Sequence, residues 1–269
     1  MQKVKRFLPI AWLLVAGGLA GCSAPAERQV IVFAAASLAE AFAELARGFE
    51  ADHPGVAVVL NLAGSQQLAQ QLSQGAPADV FASANQHQLE AAVQSGRVPA
   101  GAARPFAGNR LVVVYPAANP AGVVALGDLA QPGLKLVLAA AEVPAGTYAQ
   151  AFLEQAAADP ALGMAFRQAV LDNVVSYEEN VRAVLSKVEL GEADAGIVYS
   201  SDAQAAGAAV GRLAIPEALQ SPAVYPIAAV SDAPEPALAA DFIAFVLSPA
   251  GQAILEAHGF LPAVEAQPG

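Results

Sequence analysis

The stretch QVIVFAAASLAEAFAELARGFE, residues 29–50, changes its period halfway along. Gln29–Ala35 is a continuous apolar, β-branched run of the kind that forms a strand buried on both faces. From Ser37 to Glu50 the apolar residues Leu38, Ala41, Phe42, Leu45 and Phe49 return every three or four positions and so share one helical face. A strand running straight into an amphipathic helix is a βα unit, and the same switch recurs outward from it. Val56–Asn61 is strand-like and Gln66–Gln74 helical, closed by Gly75; Ala78–Ala82 is a strand, followed by a helix over Gln86–Ser95 closed by Gly96. Leu111–Tyr115, Leu134–Ala139, Asp194–Tyr199 and Tyr225–Val230 are further strands, with helices at 147–157, 162–171, 179–189, 202–208, 236–246 and 249–257. This alternation predicts an α/β protein with mostly parallel sheets.

Upstream of this pattern, Lys3, Lys5 and Arg6 precede FLPIAWLLVAGGLA at 7–20, an uncharged apolar run. That run is short for a bilayer span and suits the core of a signal peptide. It closes in Leu19-Ala20-Gly21-Cys22, which resembles the lipobox of bacterial lipoproteins. On that resemblance, residues 1–21 are a signal peptide and Cys22 is lipidated. Residues 22–29 form a tether, and the body is exported and anchored at the outer face of the cytoplasmic membrane or in the periplasm. One acyl chain holds weakly, but bacterial lipoproteins carry several. An ordinary secretory signal with an incidental cysteine is the alternative.

The 269 residues carry 13 Lys+Arg against 24 Asp+Glu, a net charge of −11. Removing residues 1–21 takes three positive charges and no negative ones, leaving 10 against 24, or −14. This balance disfavours a partner bound through nucleic-acid phosphates. A single cysteine excludes an internal disulfide. The three histidines, His53, His87 and His258, have no partners at metal-ligand spacing and read as surface or helix-end residues. No G-x-S-x-G, G-x-x-x-x-G-K-[ST], G-x-G-x-x-G or H-E-x-x-H motif is present.

What does recur is a small or hydroxyl residue where a strand or loop gives way to a helix. The instances are Ala34-Ala35-Ala36-Ser37, Ala63-Gly64-Ser65, Pro144-Ala145-Gly146-Thr147-Tyr148 and Glu179-Asn180-Val181-Arg182. Helix N-termini present unpaired N–H groups and a partial positive charge. Several aimed at one cleft would hold an oxyanion without a charged side chain. Singly, Ser37-x-x-Glu40, Thr147-x-x-Gln150 and Ser176-x-x-Glu179 also fit capping boxes, whereas Ser65 lacks the partner.

At these residues the chain resembles the molybdate-binding proteins of bacterial molybdate ABC transporters. The resemblance spans 29–262 and runs through VFAAASL (32–38), AGSQQLAQQL (63–72), GAPADVFASA (75–84), GNRLVVV (108–114), VPAGTYA (143–149), ENVRAVLSKVELGEADAGIVYSSDA (179–203), YPIAAV (225–230) and SPAGQAILEAHGF (248–260), in the family's order. It implies the two-lobed type II periplasmic-binding-protein fold with the ligand between lobes. Residues 30–110 and 225–262 would make lobe one, 111–224 lobe two, and 263–269 a tail. The family's binding residues fall on Ser37, Ser65, Ala145, Val181 and Tyr199. The serines would bind through hydroxyl and N–H, Ala145 and Val181 through backbone N–H, and Tyr199 through its hydroxyl. Asn180 departs from the family's Asp-Val-Arg, at a position where the contact belongs to the next residue's backbone.

The resemblance further implies a monomer that takes molybdate or tungstate as an intact oxyanion. It would have no cofactor and no catalytic residue, and would deliver the ion to an ABC permease and its ATPase. A second branch of the family adds acidic residues to make a six-coordinate metal centre, and the matched positions here carry none. Molybdate has no proton at neutral pH and only accepts hydrogen bonds, so a site built of donors suits it. Phosphate needs an acceptor for its remaining proton. Sulfate shares molybdate's donor requirement, so a sulfate or other small-anion binder of the same fold is the rival reading. More distant is a hydrolase using Ser37 or Ser65, which would need a base beside the serine.

Overall fold

The structure is a computed structural model and describes residues 28–263. The signal segment, Cys22 and residues 264–269 lie outside the described residues. The tether does so as far as residue 27, and its last two positions, Arg28 and Gln29, are instead the start of the first strand.

In chain order, the first half runs β1 (Arg28–Ala35), α1 (Ala39–Asp52), β2 (Val56–Ala63), α2 (Ser65–Ser73), β3 (Val80–Ala82), α3 (Gln86–Gln94) and β4 (Arg104–Asn109). Then come β5 (Leu111–Pro116), β6 (Leu136–Ala139), α4 (Pro144–Ala158), α5 (Gly163–Asp172), β7 (Val174–Glu178), α6 (Val181–Glu189), β8 (Ala195–Tyr199), α7 (Ser200–Ala206) and β9 (Val210–Ala214). The chain closes with β10 (Ala223–Ala229), α8 (Pro236–Leu247) and α9 (Pro249–Ala257). Among the described residues no single helix is long and apolar enough to cross a membrane.

The strands form two five-stranded sheets, ordered β2-β1-β3-β10-β4 and β7-β6-β8-β5-β9. Each is built alike. Three parallel strands (β2, β1, β3 in one; β7, β6, β8 in the other) are followed by one antiparallel strand and an outer strand paired to it. The antiparallel members, β10 and β5, are the first strands the chain lays down after each passage between sheets. The sequence alternation predicts mostly parallel sheets. The structure corrects this to four parallel and four antiparallel pairings, because each sheet takes in a strand arriving from the other half.

Alternation along β1 explains why its sequence is apolar throughout. Val30, Val32 and Ala34 face one side with Leu38, Ala41, Phe42, Leu45 and Phe49 of the first helical segment, all buried as the periodicity predicts. Phe33 faces the other side, with Leu68 and Leu72 of α2 and Leu89 of α3. The sheet is therefore covered on both faces, as a parallel layer requires. Burial on this scale supplies the dominant stabilising term at about 25 cal/mol per Å² of apolar surface.

Candidate functional site

In open α/β sheets, ligands sit beyond the carboxyl ends of the parallel strands. Here the ends of all six parallel strands turn toward one cleft. β1 delivers Ala35, Ala36 and Ser37; β2 delivers Gly64 and Ser65; β3 is followed by Ala84. From the other sheet, the segment after β6 brings Val143, Pro144 and Ala145, that after β7 brings Asn180 and Val181, and β8 ends in Tyr199. The five residues singled out in the sequence therefore line a single small cavity, with about 10 Å³ open to a water-sized occupant. That is on the order of the room one water needs and leaves none for a sugar or peptide.

Four helical first turns frame the cavity. Ser37 lies in a short 3-10 turn, Ala36–Leu38, leading into α1, while Ser65, Ala145 and Val181 open α2, α4 and α6. First-turn N–H groups have no acceptor within their own helix. Asn180 caps α6, its Oδ1 accepting from Ala183 N–H at 3.0 Å. This is the cap an aspartate would make, so the departure from the family's Asp leaves α6 starting at Val181, which lines the cavity.

The three sequence-level capping boxes do not form. Ser37 makes no cap bond and its Oγ instead lies 3.0 Å from Tyr225 Oη. Thr147 sits within α4, donating back to Ala141 O and Val143 O. Ser176 lies in β7 and donates to Glu178 Oε1. The spacing was right, but in each case the helix starts elsewhere than the serine or threonine demands.

Ser37, Ser65, Ala145, Val181 and Tyr199 are all buried. Ser65 Oγ accepts from Ala84 N–H at 3.0 Å, which leaves its proton free. Neither serine hydroxyl bonds a histidine or a carboxylate among the described residues. Tyr199 is 1% exposed, and its Oη has no hydrogen-bond partner. Burial, and then the neighbouring Tyr225, Tyr148 and Asp202, push its pKa well above that of a free tyrosine, so it stays protonated and can only donate. An unpaired buried hydroxyl costs about 1–3 kcal/mol, a cost that a bound acceptor would remove. No acidic side chain lines the cavity, and among the described residues no three His, Cys, Asp or Glu side chains gather as a metal site would need.

Contacts join the two walls outside the cavity. Gln66 Nε2 donates to Glu179 O at 2.7 Å, Gln67 Nε2 to Glu179 Oε2 at 3.0 Å, and Gln88 Nε2 to Glu142 O at 3.0 Å. Glu40 pairs with Arg182, which also approaches the buried Asp202. The sequence reading gave Gln66 and Gln88 no role beyond their helices and Glu40 only one in a capping box. The only signal was their position beside the named residues. Gly64 is part of this seam: a Cβ there would lie 2.7 Å from Glu179 O and 2.6 Å from both ends of the Gln66 amide. Gly64→Ala is expected to weaken ligand binding roughly tenfold by wedging the walls apart, with little change in unliganded stability. A titration beside a melting curve checks both halves of that statement.

The family model for bacterial extracellular solute-binding proteins matches residues 30–261. The molybdate-binding protein ModA of Mycobacterium tuberculosis is 40% identical over 256 residues, covering 93% of each chain. The periplasmic molybdate-binding protein of Azotobacter vinelandii superposes with a TM-score of 0.74 at 24% identity, over 88% of this chain and 100% of that one. The sulfate-binding protein SubI of M. tuberculosis superposes with a TM-score of 0.77 at 19% identity, over 87% of each. The fold is thus shared with a molybdate-binding and a sulfate-binding protein.

Proposed function

The chain belongs to the bacterial extracellular solute-binding proteins, and from that premise we infer that it captures molybdate, or the similarly sized and charged tungstate, and delivers it to an ABC transporter. The observation that carries this is the cavity itself: a small enclosure whose walls offer hydroxyl and first-turn N–H donors and no carboxylate. An ion that only accepts hydrogen bonds matches such walls. A protonated phosphate does not. The site is extracytoplasmic, as its family implies.

We further propose that Ser37, Ser65 and Tyr199 donate their hydroxyl protons, and Ala145 and Val181 their backbone N–H groups, to the four oxygens of an intact oxyanion. The protein acts by closure rather than by catalysis and needs no cofactor. Lobe one, 30–110 with 225–262, and lobe two, 111–224, would close on the ion. The ion bridges donors from both and so favours the closed form, which the permease reads. Cys22 is proposed as the lipid anchor and the monomer as the working unit. The 40% identity to a molybdate-binding protein supports the choice of ion.

Calorimetry with molybdate, tungstate, sulfate and phosphate tests the reading. Tight binding of the first two and weak binding of the others is expected; sulfate binding in place of molybdate would move the protein to the rival anion class. Tyr199→Phe sharpens the test. It removes an unpaired buried hydroxyl, so the unliganded protein should melt at the same temperature or higher. Molybdate affinity should fall about 10–100-fold, the worth of one hydrogen bond to a charged group. Unchanged affinity would take Tyr199 out of the site.

A further inference from the structure

Behind the cleft, the buried side chain of Asn109 sits at the end of β4. Its Oδ1 accepts from Arg110 N–H at 2.9 Å and from Ser200 Oγ at 2.8 Å. A backbone N–H can only donate, so the amide's orientation is set, and Nδ2 faces the other way. It donates to Ser201 Oγ at 2.8 Å and, over a longer 3.5 Å, to Tyr225 Oη. An amide nitrogen has no acceptor capacity, so Tyr225 Oη accepts on that side. Its one proton is then free to go to Ser37 Oγ, its nearest hydrogen-bond partner, at 3.0 Å. Ser37 Oγ accepts that proton's hydrogen bond, and its own proton turns to the only side left, the cavity it lines.

We propose that Tyr225, oriented by Asn109, is a positioning residue that fixes Ser37 as a hydrogen-bond donor and thereby makes the cleft reject protonated oxyanions. Without this relay a serine hydroxyl is ambivalent, able to give or accept, and a cleft holding one such hydroxyl could accommodate the proton of hydrogen phosphate. The same logic holds Ser65 in one direction through Ala84 N–H. Tyr225 is fully buried, and its phenol is kept protonated mainly by that burial. The relay therefore has no lower-energy state in which the tyrosine gives up its proton. Neither Asn109 nor Tyr225 lines the cavity, so their effect on the ion passes through Ser37.

The inference rests on the reading of the cleft as an oxyanion site, and the test separates the two. Molybdate affinity is measured for the wild type, Tyr225→Phe and Asn109→Asp, and phosphate affinity by its displacement of molybdate at pH 7. Tyr225→Phe keeps the ring and removes the relay; molybdate should weaken roughly fivefold, about one hydrogen bond's worth, with phosphate weakened less or strengthened. Asn109→Asp replaces the amide donor by an acceptor, so Tyr225 turns its proton back and Ser37 must present a lone pair to the cleft. The added charge weakens both anions, while the phosphate-to-molybdate ratio of dissociation constants should shrink by at least fivefold. Equal factors for the two anions in both variants, or no change in either, overturns the relay. Wild-type protein that binds no molybdate or tungstate overturns the site reading instead. Asn109→Asp decides the matter should Tyr225→Phe fail to fold.

Discussion

Gly146→Ala is expected to destabilise the protein by about 3 kcal/mol or more and to abolish tight ligand binding. Elsewhere in a helix the same change should help, since alanine is favoured over glycine by about 1 kcal/mol. Here the new Cβ would overlap Ala140 O and lie 2.6 Å from Ala139 O. Those atoms are backbone at the end of β6, and β6 is buried and paired on both sides, to β7 and β8. They cannot rotate away as a side chain would, so the first turn of α4 has to lift off. Ala145, the preceding residue and 1% exposed, lifts with it and displaces the part of the cavity wall that it forms. Overpacking alone costs about 1–3 kcal/mol, and a backbone clash lies at or above the top of that range. Gly127→Ala is the control, since a Cβ there meets nothing within 4 Å. Urea unfolding of both variants with a molybdate titration checks the claim; a Gly146→Ala protein as stable as Gly127→Ala would refute it.

The sequence shows an uninterrupted apolar run more readily than a strand broken by proline, glycine or polar residues. The βα alternation, the inward face of the first helix and the turns at Ala34–Ser37 and Ala63–Ser65 were legible because uninterrupted apolar runs and period shifts write them plainly. Three strands were not: β4, β7 and β9. All three are outer strands of their sheets. RPFAGN tolerates its Pro105 because an outer strand need not pair on both sides, its Gly108 admits the close approach of Leu261, which bridges to it, and VVSYE leaves Val175 and Tyr177 largely exposed. The candidate site was legible in its first-turn residues, and all five fall in one cavity. Its supporting polar network was not. Asn109 and Tyr225 lie 116 positions apart and meet only because β10 pairs with β4 in the folded sheet. No local pattern announces such a pair. YPIAAV was read as a strand and GNR only as family likeness, and neither reading linked the two residues.

Arg182→Met is expected to cost about 1–1.5 kcal/mol at pH 8, the most that a carboxyl about one pH unit above its pKa can lose before it takes up a proton instead. Asp202 has no exposed surface. Its Oδ2 accepts from Tyr199 N–H at 3.2 Å, and Arg182 Nε approaches Oδ1 to 3.0 Å. That N–H is not aimed at the carboxylate, so the two attract as charges without a formed hydrogen bond. Burial still wins: Asp202 is pushed up from 3.8 to about 7, with Arg182 and the Tyr199 N–H pulling down and Glu40 adding to the rise. A carboxyl whose pKa is higher folded than unfolded makes the folded state bind the extra proton between those two values. Its contribution is complete below about pH 4 and is lost as pH rises through about 7, a span on the order of 4 kcal/mol. Without Arg182 the pKa rises further, so Asp202 stays protonated at pH 6, and the variant should suffer less there than at pH 8. Asp202→Asn keeps an acceptor for Tyr199 N–H and removes the ionisation, so its stability should be nearly flat between pH 5 and 8 where the wild type declines. Unfolding free energies across that range for the three proteins settle the point. A wild type that gains stability with pH, or an Arg182→Met penalty equal at pH 6 and 8, would mean that Asp202 is ionised throughout and that its pairing with Arg182, not its burial, governs the state of the carboxyl beneath the cleft.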